Sequence, residues 1–142
     1  MATKKTTSDA INDVIDLIKA SELLSVVNGS IYKSQNRPIG SENEDIVVNC
    51  IASTHAQFQE FSVNVNIFVP RIEGDGENVH LQDTARIAEI SAALNAFAEG
   101  AVSDEYRIEC ANAVNYDEVP QINQDYVNVT LRLYRLSQST EV

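Results

Sequence analysis

Apolar positions along the chain fall into two periodicities, and the alternation between them divides it into elements. Ile11, Val14, Ile15 and Ile18 recur at the spacing of one helix face, after a cap at Thr7 or Ser8. Asp9 and Asp13 suit the positive end of that helix's dipole. The helix is expected to fade through SELLSVV and stop by Asn28-Gly29, with a short strand, SIYKSQ, after it. IVVNCIAS reads as a second strand and AQFQ as a hairpin connection. Phe61, Val63, Val65, Ile67 and Val69 then alternate with Ser62, Asn64 and Asn66 until Pro70 removes an amide donor. Ile87, Ile90, Leu94 and Phe97 return to helical spacing between Leu81 and Ala98, with Ala85, Ala88, Ala92 and Ala96 as a small-residue face suited to close packing on a sheet. EYRIECANAV is a further strand. In the last one Val127, Val129, Leu131 and Leu133 alternate with Asn128, Thr130, Arg132 and Tyr134.

The order is therefore α-β-β-β-α-β-β. Strands two and three make one hairpin and strands four and five another, giving an α+β fold of two layers: a mostly antiparallel sheet with two helices on one face. A chain of 142 residues, 44% of them hydrophobic, supplies one core, so residues 1–142 form a single domain with 1–7 and 137–142 as loose tails.

Three polar stretches, 36–45, 70–79 and 115–125, are expected as loops, and this connectivity gathers them at one end of the sheet. They carry Glu42, Glu44, Asp45, Glu73, Asp75, Glu77, Asp117, Glu118 and Asp125 against Arg37 and Arg71, an acidic rim that is either simply solvated or meets a partner. The first two are long, rich in glycine and acids, and expected to be mobile in a free subunit. The second surface is the sheet face away from the helices. Val47, Asn49, Ile51, Ser62, Asn64, Asn66, Phe68, Asn128, Thr130, Tyr134 and Leu136 make it short, uncharged and partly apolar, with Arg132 and the Arg107, Glu109 pair as the exceptions, where a solvated face would carry Lys and Glu.

Net charge is −11, which opposes tight nucleic-acid binding and attachment to anionic membranes. No apolar run approaches a spanning helix, and MATKKTTSDA lacks the apolar stretch of a signal peptide, so synthesis in the cytoplasm is expected. Cys50 and Cys110 each lie in a strand-like run and read as buried, reduced thiols. His55 and His80 have no adjacent nucleophile and orienting group, and zinc spacings are absent. EGDGEN lacks the ligand order of an EF-hand, and neither GxxxxGK[ST] nor GxGxxG occurs. No cofactor, metal or catalytic set is expected.

The first helix leading to GSIYKSQNRPIGSENEDIVVNCI, the strand SVNVNIFVPRI, the helix DTARIAEISAALNAF and the closing strand YVNVTLRLYRL come in an order that spans nearly the whole chain. That order resembles the tail terminator (tail completion) proteins of long-tailed bacteriophages. The resemblance implies a structural virion protein, made in the host bacterium, that caps the tail tube as a homo-hexameric ring. Such a ring stops tube growth and joins the tail to a head-completion (stopper or connector) protein. Its partners would be itself, the tail tube protein and that head protein, with DNA passing through. The family offers no invariant site to transfer, so the interaction residues are the surface sets: Arg37, Glu42, Glu44, Asp45, Asn64, Asn66, Arg71, Glu73, Asp75, Glu77, Asp117, Glu118, Asn128 and Tyr134. Two other readings stay open: a small intracellular α+β enzyme or ligand-binding domain with a pocket between the second helix and the sheet, and another phage connector or minor tail protein.

Elemental analysis of the dialysed protein is expected to show no stoichiometric zinc or calcium.

Overall fold

A computed structural model describes residues 4–76 and 79–136. Helix α1 (Thr7–Ala20) begins at a reciprocal cap one residue earlier than the sequence pattern suggests. The Thr6 hydroxyl accepts the Asp9 amide at 3.1 Å while the Asp9 carboxylate accepts the Thr6 amide at 2.8 Å, satisfying two otherwise orphaned donors. The leading segment is not loose along its whole length. Lys5 pairs with Asp13 at 2.6 Å and with Glu105 at 2.9 Å, and its amide donates to the Gln59 side chain. Residues 1–3 and 137–142 lie outside the described residues.

After α1 comes a separate one-turn helix, α2 (Leu23–Val26), where a fading helix end was expected. The strands are β1 (Ile31–Lys33), β2 (Ile46–Ser53), β3 (Phe58–Pro70), the two-residue β4 (Ile72–Glu73) and β5 (His80–Leu81), then β6 (Arg107–Cys110), β7 (Asn115–Val119) and β8 (Gln124–Leu136). Helix α3 (Thr84–Gly100) separates β5 from β6, and a 3-10 turn (Pro120–Ile122) joins β7 to β8. The main sheet runs β1-β2-β3-β8-β6, with β7 also on β8. Among the described residues only the β1–β2 pair is parallel, so the architecture is the expected α+β two-layer one.

The sheet is organised by β3 and β8, which pair without a break from Phe58↔Leu136 to Pro70↔Gln124. Odd-numbered residues of both strands point to one face, where Phe61, Val63, Val65, Ile67, Val127, Val129, Leu131 and Leu133 are at most 1% exposed. Helix α1 covers β2 and β3, and α3 covers mainly β8 and β6. They bury Val14, Ile18, Ile90 and Leu94 against that face.

Several expectations change. The third loop, 115–125, contains β7, because Asn115–Val119 pairs in register with Val127 and its neighbours on β8. A segment with two acids and weak alternation becomes a strand when a long edge offers it a ladder. EYRIECANAV is a strand only over Arg107–Cys110. The chain then breaks away, and the Asn112 side chain accepts the Thr130 amide at 3.0 Å. Residues 70–79 include part of the small β4–β5 hairpin. The alanine face of α3 points outward: Ala85, Ala88, Ala92 and Ala96 are exposed, and Ile87, Ile90, Leu94, Phe97 and Ala98 are the residues buried in the core. Cys110 is exposed and Cys50 half-buried, both free thiols, and burial pushes the Cys50 thiol's pKa upward.

The two-faced sheet gives a direct check. Leu131→Ala should cost about 2–5 kcal/mol in urea unfolding. Thr130→Ala, one residue along and on the other face, should cost no more than about 1.5 kcal/mol.

Candidate functional site

Two regions other than the core are built with care, and both draw on residues far apart in sequence. The first is the open face of the sheet. In cross-strand rows, Val47, Asn66, Asn128 and Asn115 lie side by side, followed by Asn49, Asn64 and Thr130. Asn128 donates to the Asn66 carbonyl oxygen at 2.7 Å, Asn66 to Asn49 at 3.3 Å, and the Thr130 hydroxyl to Asn64 at 2.5 Å. The amides are thus fixed in a lattice across β2, β3 and β8 and are half-buried in the single subunit. Tyr134 lies further along under the Arg107 guanidinium, 4.6 Å from the ring centre. A bulge between Cys50 and Ala52 interrupts the face at Ile51, which is exposed. Leu136 belongs to β8, but its side chain lies outside the described residues.

The second region is the loop end of the sheet. Here three arginines are each locked to acids. Arg37 donates from Nε to Asp45 at 2.9 Å and from its terminal nitrogen to Gln124 at 2.9 Å and to the Ser41 and Asn43 carbonyls. Its guanidinium also sits 3.9 Å from the centre of the Phe68 ring. Arg71 binds both oxygens of Asp125 and reaches Glu118 at 3.0 Å, and Gln82 adds a hydrogen bond to Asp125. Arg86, from α3, grips both oxygens of Glu44 at 2.6 and 2.7 Å and donates to the Val26 carbonyl.

This network corrects the acidic rim. Glu44, Asp45 and Asp125 are 5%, 1% and 0% exposed, so they are interior ion-pair partners and do not present charge at the surface of the subunit. Arg37 and Arg71 are likewise mostly covered. A buried carboxylate persists only when paired and hydrogen-bonded, which is what each arginine provides. The rim's exposed acids are Glu42, Glu73, Asp75, Asp117 and Glu118, the last tied to Arg71; Glu77 lies outside the described residues. The loop 36–45, expected to be mobile, is pinned at Arg37, Ser41 and Asp45.

Electrostatics follow from these contacts. Glu44 is held below the usual carboxylate pKa by Arg86, against the opposing effect of burial. For Asp45 burial is the largest influence and acts upward, but Ser41, the Ser30 amide and Arg37 together outweigh it and the pKa falls. At the opposite end of the sheet Tyr106 is pushed well up by burial and by donating to Asp13 at 2.6 Å, so it stays a neutral phenol. Gly29 is required where it stands: a Cβ there would lie 2.5 Å from the Glu44 carbonyl oxygen and closer still to the Asp45 carboxylate.

Sequence reasoning missed Arg86 and Gln124, whose partners Glu44 and Arg37 are 42 and 87 residues away. It also passed over Ile39, although an isolated apolar residue between Pro38 and Gly40 in a polar loop was a visible signal. Among the described residues no cluster of three or more His, Cys, Asp or Glu side chains is placed to hold a metal ion. None of the helices there is long and apolar enough to cross a membrane. An open groove of about 500 Å³ runs between the two longer helices on their outer side, lined by Leu17, Leu23, Val26 and Phe97 among others. It is not the pocket between helix and sheet that a ligand-binding reading anticipates, and Ser21 and Glu22 are its only polar side chains.

The buried pairs generate a pH-dependent prediction. The pKa of Asp45 is lower in the folded than in the unfolded chain, so its contribution to stability is present above the unfolded value near 4 and is lost as pH falls through the folded value. Arg37→Met, which leaves Asp45 buried without its cation, should cost about 3–5 kcal/mol at neutral pH. The difference from the parent should shrink as pH falls through the lowered carboxylate pKa of Asp45, as measured by chemical unfolding across pH.

No family model matches the chain, and no curated protein matches it. Among solved structures, a chain from the virion of a native gene transfer agent (GTA) particle is similar over 93% of this chain and 98% of its own, with a TM-score of 0.54 and 11% identity. At that identity the likeness establishes a shared fold, and nearly the whole of both chains takes part in it.

Proposed function

We propose that this chain is a phage-type virion protein of structural, non-catalytic function, and specifically a tail terminator. Six copies close into a ring on the end of the tail tube, stop its growth and offer the surface that a head-completion protein binds, while DNA passes through the centre. The observation that carries this reading is the uncharged lattice of Asn49, Asn64, Asn66, Asn128 and Thr130 on the open sheet face. A lone soluble domain has no need to hold amides rigid and charge-free across three strands, whereas a subunit contact does, because an unpaired charge there would be desolvated. Ring closure also needs two unlike surfaces on each copy. The open sheet face is one of them. The fold shared with a chain of a gene transfer agent virion and the order of sequence elements support the same assignment.

Imaging tests it. Protein mixed with tail tubes should cap their ends as six-fold rings, and a producing strain lacking the chain should make tubes of uncontrolled length. Asn66→Lys should fold, losing about 1 kcal/mol with its amide hydrogen bonds, and should fail to cap. Capping by Asn66→Lys and Asn128→Lys at the parent level would remove the sheet face from the contact, and normal tube length without the chain would end the terminator reading.

A further inference from the structure

Eight large apolar side chains stand exposed among the described residues, and four of them crowd onto the loop end: Ile39 at 105%, Ile72 and Leu81 at 49% each, and Ile122 at 44%. They come from three separate loops, yet all are anchored around one point. Ile39 lies between Arg37 and Ser41, and both of those bond the Gln124 side chain. Ile122 precedes Gln124 by two residues. Ile72 follows Arg71, whose amide donates to the Asn123 carbonyl at 3.1 Å, and Leu81 is the cross-strand partner of Ile72.

The charge around them is of one sign. Glu42 and Asp75 are exposed on these loops, Glu73 in β4 and Asp117 in β7, while Arg37, Arg71 and Arg86 are engaged by Asp45, Asp125 and Glu44. The fixed loops matter as much as the composition. A loop that holds a fully solvated isoleucine outward through four hydrogen bonds from a single arginine has already met the ordering cost that binding would otherwise impose.

We propose that the loop end is a preformed protein-docking surface, on which Ile39, Ile72, Leu81 and Ile122 enter apolar sockets framed by lysine and arginine on a neighbouring virion protein. This rests on the virion reading above and adds the end of the subunit used, the residues that carry the contact and the chemistry of the partner. Surface acids repel nucleic acid and anionic lipid headgroups alike, so the complement is a basic protein surface. A second copy presenting the same end would bring like charges together, and the amide lattice of its open face carries no cation to meet them, so the partner is a different chain.

The test uses heads and tails purified separately from a producing strain that lacks this chain, each mixed with the purified protein and sedimented. The parent should travel with one of the two, less so at about 500 mM than at about 50 mM salt. Ile39→Ser/Ile122→Ser and Glu42→Lys/Asp117→Lys should melt like the parent and bind roughly tenfold or more weakly. Parent-level binding by both double variants overturns the docking surface. So does a parent that travels with neither particle, or self-association that the isoleucine variant abolishes. Tube length in the same strain decides separately whether the terminator reading survives.

Discussion

The thirteen-residue pairing of β3 with β8 is the constraint on which the other features depend. Because side chains alternate strictly, one register choice sends Val63, Val65, Val129 and Leu131 to the helices and Asn64, Asn66, Asn128 and Thr130 to the opposite face. A slip of one residue would exchange the sets, exposing the core and burying the amides. The hydrophobic face thus enforces the register, and the register in turn assembles the amide lattice. Stability and the proposed contact surface are two outcomes of one alignment.

The same pair of strands fixes the loop end. β3 ends and β8 begins there, so Arg71 meets Asp125 although 54 residues separate them, and Gln124 is brought to Arg37. Each buried carboxylate carries a desolvation cost that its arginine must offset, and well-packed apolar residues would serve stability as well or better. What an ion pair adds is direction. Arg37 holds the Ser41 and Asn43 carbonyls of the 36–45 loop at once, and Arg86 ties α3 to the last residue of α2. This end of the molecule has spent its interior charge on geometry, leaving the exposed acids and isoleucines with fixed relative positions.

Local pattern was enough for the central elements. The alternation in β3 and β8, the Ile11–Ile18 face of α1 and the Ile87–Phe97 face of α3 report burial on one side, and burial repeats with the period of the element itself. The open sheet face with its row of amides was legible for the same reason, since it is the complement of the buried one; Arg107, Glu109 and Arg132 stand on it beside the amides. Short strands were not: β7 has no period of its own and exists through its ladder to β8.

What the sequence by itself determined is therefore the layer architecture, the core and the residues of the open face, because each is written in spacing between near neighbours. Only the tertiary structure decided which charges are interior. Glu42 and Asp45 lie three residues apart in one acidic loop, yet the first is solvated and the second is 1% exposed. Their fates differ because Arg37, Ser41 and the Ser30 amide converge on Asp45, and a carboxylate's environment is set by partners that folding brings in from elsewhere in the chain.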